Sequence, residues 1–333
     1  MAKSEPSQAT LFELPEAPLE PAAPNPEYTE LAARLPNSLR LGTMSWSYPG
    51  WRGIVYGASA DAKQLAARGL TAYSQHPLLT TVEIDRTYYE PLPPTVLADF
   101  AEQVPTTFRF VVKAPEVCVL RNFPLHARYG KKRGEANPRY LDAEPAIEAV
   151  ARAHEGLGEK LGVMLFQFPP QDVGGVAAFV GRLGAFLQRL PPGITYAVEL
   201  RNRELLGRAY SEALVASGAL HCHNVWGEMP SVLAQARRMP PATRRPLLVR
   251  WLMRRGDDYK TAGARYMPFN RLVDEDLTNR DEVALLLAKA IAHDVPAYAL
   301  LDNKAEGCAP ASAVHLARAI ARARESEIAV GQR

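Results

Sequence analysis

From residue 38 onward, short apolar, β-prone runs alternate with longer segments of helical period. The runs are Leu39–Thr43, Thr80–Ile84, Phe108–Val112, Leu161–Phe168, Thr195–Leu200, Ala219–Val225, Leu247–Leu252 and Pro296–Leu301. Helical segments follow near 61–75, 94–104, 145–158, 174–189, 203–217, 229–238, 281–293 and 311–324. The fourth segment shows the pattern most plainly. Val176, Phe179, Val180, Leu183, Phe186, Leu187 and Leu190 recur at three- and four-residue steps and draw one apolar stripe. Asp61 with Gln64 predicts a capping box, and Pro94 and Pro310 suit the first turns of their helices.

Eight βα units in a chain of 333 residues predict an α/β fold, a TIM-like (β/α)8 barrel over residues 38–325 as a single domain. An open doubly wound sheet is the structural alternative. It would need fewer strands, and no G-x-G-x-x-G follows the first run. Residues 1–37 hold seven prolines and six glutamates, a composition that predicts a flexible tail with a short helix around Leu31–Leu35; residues 326–333 form a second tail. The βα connections 114–144 and 253–280 are long enough to act as lids or binding loops.

Net charge is +3, too even to imply wholesale nucleic-acid binding, although a local basic patch is compatible with it. Cys118, Cys222 and Cys308 are widely spaced and odd in number, which argues against a disulfide framework or a structural zinc site and fits a reducing cytoplasm. There is no secretory signal pattern and no apolar stretch of membrane-spanning length, so a cytoplasmic location away from membranes is expected.

Barrel strands are covered on both sides, so polar side chains near their carboxyl ends need a reason, usually a pocket. Period-two alternation turns Val82, Ile84, Val198 and Leu200 toward the helices and leaves Glu83, Asp85, Glu199 and Arg201 facing the lumen. Lys113 ends the third run facing opposite to Phe110 and Val112, Gln167 sits between Phe166 and Phe168, and Asn303 closes the eighth. These groups form either a site or buried ion pairs, such as Glu199 with Lys113 or with Arg201, that merely satisfy the lumen.

Six ordered segments carry a further likeness: L-G-T-M-S-W-S-Y-P-G-W at 41–51, T-V-E-I-D-R-T-Y-Y at 81–89, F-R-F-V-V-K-A-P at 108–115, L-F-Q-F-P-P at 165–170, Y-A-V-E-L-R at 196–201 and D-N-K-A-E-G-C-A-P at 302–310. In these the chain resembles domain-of-unknown-function family 72, the YecE-like proteins, over about residues 38–322. The resemblance implies a TIM-like barrel and supplies no activity. Carried over residue by residue, it implies pocket positions at Trp46, Tyr48, Glu83, Tyr88, Lys113, Gln167, Glu199, Arg201 and Asn303. Relatives often read Arg-x-His-Gly at the seventh strand, where this chain has Arg250, Trp251, Leu252 and Met253, and end the sixth in Asp, where it has Asn224. The departures at Asn224, Leu252 and Met253 place any mechanism resting on that His and Asp in question.

Four chemistries suit these residues. A divalent metal is one, with Glu83, Asp85, Glu199, His221 and His223 as oxygen and nitrogen ligands, against the alternative that the histidines belong to the core or the surface. Acid–base work is the second, with Glu199 and Lys113 as the reactive pair, Glu83, Gln167 and Asn303 orienting the substrate and Arg201 holding its anionic group. The third is anion binding at the last βα turn, where Asn303, Lys304 and Gly307 precede a helix, against a plain tight turn. The fourth is nucleic acid on the basic loop 121–139, where Arg128, Lys131, Lys132 and Arg133 are interleaved with aromatic residues, against a solvated surface loop. Trp46, Tyr48 and Tyr88 either stack on a ligand or plug the barrel mouth. The first reading is therefore an enzyme of hydrolase, lyase or isomerase type acting on a phosphate- or carboxylate-bearing substrate; the second is a non-catalytic nucleic-acid-binding protein.

Overall fold

The computed structural model describes residues 19–241, 245–257 and 259–331; the expected flexibility of residues 1–18, and residues 332–333, lie outside them. The strands are β1 (Leu39–Thr43), β2 (Leu79–Ile84), β3 (Arg109–Lys113), β4 (Leu161–Phe168), β5 (Tyr196–Leu200), β6 (Leu220–Val225), β7 (Leu247–Trp251) and β8 (Ala297–Leu301). All neighbours pair in parallel and in chain order, and β8 closes on β1 from Leu39↔Ala297 to Thr43↔Leu301. Surrounding helices connect the strands, so the fold is a TIM-like (β/α)8 barrel. The third strand starts and ends one residue later than its pattern suggests, which places Lys113 inside the strand.

Alternation divides the core in two. Val82, Ile84, Phe110, Val112, Phe166, Phe168, Val198 and Leu200 pack outward against the helices. Val111, Val163, Leu165, Ala197, Leu220, Cys222, Leu248, Tyr298 and Leu300 form a separate cluster in the lumen, with Met44, Leu252 and Met253 near its top. A filled lumen is a packed core and not a channel, so a ligand can enter only at the end where the side chains turn polar. At Gly42 the register of β1 against β2 shifts, and a Cβ there would lie 1.9 Å from the Thr81 carbonyl oxygen, so the close approach requires glycine.

Both expected tails need correction. Residues 19–37 pack against the barrel: Pro21 bridges Tyr56, and a helix spans Pro26–Ala33, earlier than anticipated. Asn25 caps it by accepting the Glu27 N–H, and Leu31 is buried. Glu27 pairs with Arg318, and Arg34 pairs with Glu325, on a final helix that runs from Ala309 to Gly331 with no break at 326. The long connections are also structured. Residues 114–144 contain a helical turn at Glu116–Val119 and a 3-10 segment at Ala127–Lys132. Residues 253–280 contain the helix Tyr259–Tyr266 and bring Phe269 edge-on to Tyr48. Among the described residues the three cysteines are free and buried, and no helix is long and apolar enough to cross a membrane.

Candidate active site

The penultimate or last residues of the strands turn the lumen polar: Glu83 from β2, Lys113 from β3, Gln167 from β4, Glu199 from β5, Asn224 from β6 and Arg250 from β7, all buried. Above them opens a pocket of about 630 Å³. Glu83, Asp85, Lys113, Gln167, Arg201 and Arg250 line it on the polar side, with Trp46, Tyr48, Tyr89 and Leu252 among its apolar walls. Its size and mixed lining are those of a small-molecule site.

Arg250 organises the charges. Its Nε and Nη2 donate to the two carboxylate oxygens of Glu83 at 2.9 and 2.8 Å, a bidentate pair, and its Nη1 donates to Glu199 Oε2. Glu199 Oε1 also accepts from Arg201 Nε at 2.9 Å and from Asn224 Nδ2 at 3.2 Å. One carboxylate thus has two guanidinium partners and the other shares one. Burial raises both acids, and the outcomes diverge. Burial takes the Glu83 carboxyl up to about 7 against the pull of Arg250 and Lys113. Burial also pushes Glu199 up, but Arg250 and Arg201 together overcome it and bring the carboxyl down to about 2. Glu199 is consequently a fixed anion at neutral pH, while Glu83 exchanges a proton there.

Two donors at the pocket are uncommitted. Arg201 uses only Nε on Glu199, its guanidinium lies 4.9 Å from the centre of the Trp226 ring, and its Nη atoms make no hydrogen bond to a described residue. Gln167 is 4% exposed and lines the pocket, and its side-chain amide makes no hydrogen bond to any described residue. A buried amide without a protein partner is costly unless water or a ligand satisfies it.

Several expectations change here. Lys113 does not pair with Glu199: its Nζ donates to Asp85 Oδ1 at 2.6 Å and lies 4.0 Å from the centre of the Tyr88 ring, because Asp85 directly follows the neighbouring strand β2 whereas Gln167 of β4 separates Lys113 from Glu199. Glu199 sits beneath the pocket wall, fully buried among its cations. Trp46 and Tyr48 do line the pocket, but Trp46 donates its indole N–H to Leu65 O at 2.9 Å and stacks edge-on to Phe100, and Tyr48 packs on Trp51, so both act as walls. Tyr88 serves as the platform under Lys113.

Asn303 and Gly307 do not reach the pocket. Asn303 Oδ1 accepts from Trp51 Nε1 at 3.1 Å and from the Ala309 N–H at 2.8 Å, which fastens the start of the last helix. Gly307, at φ +115°, is covered by residues 271–273: a Cβ there would lie 2.7 Å from Arg271 O. The Gly307 N–H is spent on Asn303 O. The last βα turn is therefore closed to an anion. Lys304 lies beside Asp302, its Nζ 3.3 Å from Oδ1.

The metal set also separates. His221 and His223 share a face of β6, as alternation requires, but it is the helix face. His221 lies between Tyr210 and Gln235, His223 stacks edge-on to it, and Cys222 and Asn224 hold the lumen side. Glu83, Asp85 and Glu199 are each paired with a cation. Among the described residues no group of three or more His, Cys, Asp or Glu is placed to hold a metal ion, so the expected ligands do not fit one.

In the basic loop, Arg128 pairs with Glu116 and lies 4.4 Å from the centre of the Tyr89 ring at the pocket rim. Lys131, Lys132 and Arg133 are exposed, and Arg133 donates to Gly130 O. The residue that sequence reasoning missed is Arg250. Its signal was present, since a charge between Val249 and Trp251 in an apolar run has lumen parity. The likeness drew attention instead to the end of the same motif, where Leu252 and Met253 supply apolar wall.

A family profile described as "Protein of unknown function DUF72" matches residues 40–332. The fold is similar to a DUF72 family protein from Enterococcus faecalis V583, with a TM-score of 0.54 at 18% identity over 86% of this chain and 95% of that one. It is likewise similar to a DUF72 family protein from Thermotoga maritima MSB8, with a TM-score of 0.51 at 18% identity over 86% and 98%. No curated protein matches the chain.

Proposed function

The chain belongs to the DUF72 family, and on that premise we propose that it is an enzyme carrying out acid–base chemistry on a small carboxylate- or phosphate-bearing substrate. The observation that supports this most is the unequal state of two buried acids that share Arg250, only one of which also has Arg201. Glu199 is held ionised and fixes both guanidinium groups, while Glu83, on the pocket lining, has its carboxyl near 7. Titratable groups pushed apart in this way are how one site keeps a fixed charge and a proton carrier side by side. Each Glu83 oxygen retains a lone pair beyond its bond to Arg250, so it can take a proton from a substrate atom and return it.

Arg201 and Gln167 supply the anion subsite, since both have donors free and both line the pocket. The planar Arg201 fork matches a carboxylate or a phosphate, and Glu199 fixes its orientation. Glu83 thus takes the proton-transfer role expected of Glu199, and Glu199 becomes a positioning residue. The basic loop supports nucleic-acid binding less well, because Arg128 is engaged by Glu116 and its charge is partly neutralised there.

The test is turnover across a panel of phosphorylated and carboxylated metabolites, with Glu83→Gln and Arg201→Met beside the wild type. Glu83→Gln is expected to lose about 10²–10⁴ in kcat on whichever compound turns over. Arg201→Met should act mainly through KM. The wild-type rate should inflect near pH 7, where Glu83 titrates. Undiminished turnover by Glu83→Gln would remove the assignment.

A further inference from the structure

The acid–base reading leaves Lys113 without a chemical role, although it lines the same pocket. If this lysine served only as a structural counter-ion for Asp85, arginine would do the work better, because its fork binds a carboxylate through two hydrogen bonds and holds its charge. Lysine differs in being able to give up a proton and attack carbon. Its surroundings suit that difference. The Lys113 side chain is 6% exposed, its Nζ has one hydrogen-bonded partner, and the rings of Tyr88 and Tyr89 lie at 4.0 and 6.0 Å. The partner, Asp85, is 41% exposed and itself lines the pocket, so a ligand can reach it. Gln167 is on the next strand, paired with Glu199 of β5, and Arg201 lies two residues beyond. An anionic group held by Gln167 and Arg201 would therefore bring the rest of a short ligand toward Lys113.

We infer that Lys113 forms an imine with an aldehyde or ketone that also carries a carboxylate or phosphate. This rests on the anion subsite proposed for the pocket, and it narrows the substrate class to carbonyl compounds. The step balances without a further reagent. The Lys113 ammonium gives one proton to Asp85, and the freed lone pair adds to the carbonyl carbon. The C=O π pair moves to oxygen, which is protonated by Glu83. The carbinolamine nitrogen returns a second proton to the Glu83 carboxylate, Asp85 gives its proton to the hydroxyl, and water departs as the nitrogen lone pair closes the C=N bond. What remains is a protonated C=N bond, with Asp85 and Glu83 restored to their initial states. A protonated imine withdraws electrons from the adjacent carbon, where proton removal or C–C cleavage becomes accessible to a nearby base.

The experiment is borohydride trapping on the full chain, with pyruvate, dihydroxyacetone phosphate and pyridoxal 5′-phosphate as separate probes, read by peptide mass mapping. Lys113 is expected to be labelled at least about tenfold faster than the exposed Lys131 and Lys132, because the anion subsite concentrates the carbonyl beside it. Inorganic phosphate should slow that labelling and leave the surface lysines unaffected. Lys113→Arg, verified as folded by its melting transition, should lose the adduct. Labelling that follows surface exposure with all three probes, Lys113 never enriched, overturns the inference. If phosphate still protects the protein against unfolding, and does so less in Arg201→Met, the acid–base reading survives that failure. Conversely, enriched Lys113 adducts alongside normal turnover by Glu83→Gln would keep the imine and remove Glu83 from its proposed role.

Discussion

Glu83 and Glu199 are the same residue type at the same depth, and their difference comes chiefly from how many guanidinium groups each one has. This has a consequence for stability as well as chemistry, and the two signs oppose. Glu83 is raised from 4.5 to about 7 by burial, so the folded state binds its proton more tightly than the unfolded chain does. Its contribution is fully present below about pH 4.5 and is lost as pH rises through 7. Glu199 is raised by burial and, more strongly, lowered by Arg250 and Arg201 to about 2. Its contribution is present above 4.5 and is lost as pH falls toward 2. Each shift corresponds to about 3 kcal/mol. Of these two carboxylates only Glu83 titrates across pH 5 to 8, and the histidines cancel between the two proteins, so wild-type unfolding free energy should decline relative to Glu83→Gln by about 2–3 kcal/mol over that range. Denaturant unfolding of both proteins at unit pH steps measures this. A constant difference would mean that Arg250 keeps Glu83 ionised throughout.

At the scale of strands and helices, the parity of a buried strand was legible because the backbone alone decides it. Glu83, Lys113, Gln167 and Glu199 were all placed in the lumen by alternation, and all are there. Partner choice was not legible. Arg250 reaches Glu83 across the barrel from 167 positions away in sequence, and no local pattern contains that distance. Parity also stops where a strand stops. Asn303 lies two residues beyond β8, in a turn whose direction is set by the helix that follows, so its side chain caps that helix instead of facing the ligand. His221 and His223 show the converse case: their shared face was predictable, and which face it was depended on register. The structural role of Asn303 has its own test. Asn303→Ala strips hydrogen bonds from the buried Trp51 indole and the Ala309 amide, and should cost about 1–3 kcal/mol. Phosphate affinity should be unchanged, because Arg201 and Gln167 are untouched. Denaturation and a phosphate titration of the same variant separate the two effects, and a large loss of affinity at normal stability would return Asn303 to the pocket.

For the molecule as a whole, the barrel's rhythm was strong enough to read from one sequence, whereas composition misjudged the approach to it. A segment rich in proline and glutamate cannot form a core of its own, which is why residues 19–37 resembled a tail. It needs only to cover a core that already exists. Leu31 is buried against the barrel's outer cluster, and Tyr28 packs there beside His76 at a ring separation of 5.4 Å. The pairs Glu27–Arg318 and Arg34–Glu325 add little by themselves, since exposed ion pairs contribute about 0–1 kcal/mol each. Burial of Leu31 contributes about 1.5–3 kcal/mol and is the main term. A chain beginning at Ser38 should therefore be less stable than one beginning at Leu19 by about 2–4 kcal/mol. Protease cleavage should appear first in the helix Ala309–Gly331, which loses its cover. The pocket lies at the other end of the strands from Leu39, so phosphate binding and Lys113 trapping should persist in both truncations. Equal stability of the two chains would show that the Pro26–Ala33 helix adheres without contributing to the fold. Loss of binding with the helix would show instead that the barrel transmits the state of one end to the other.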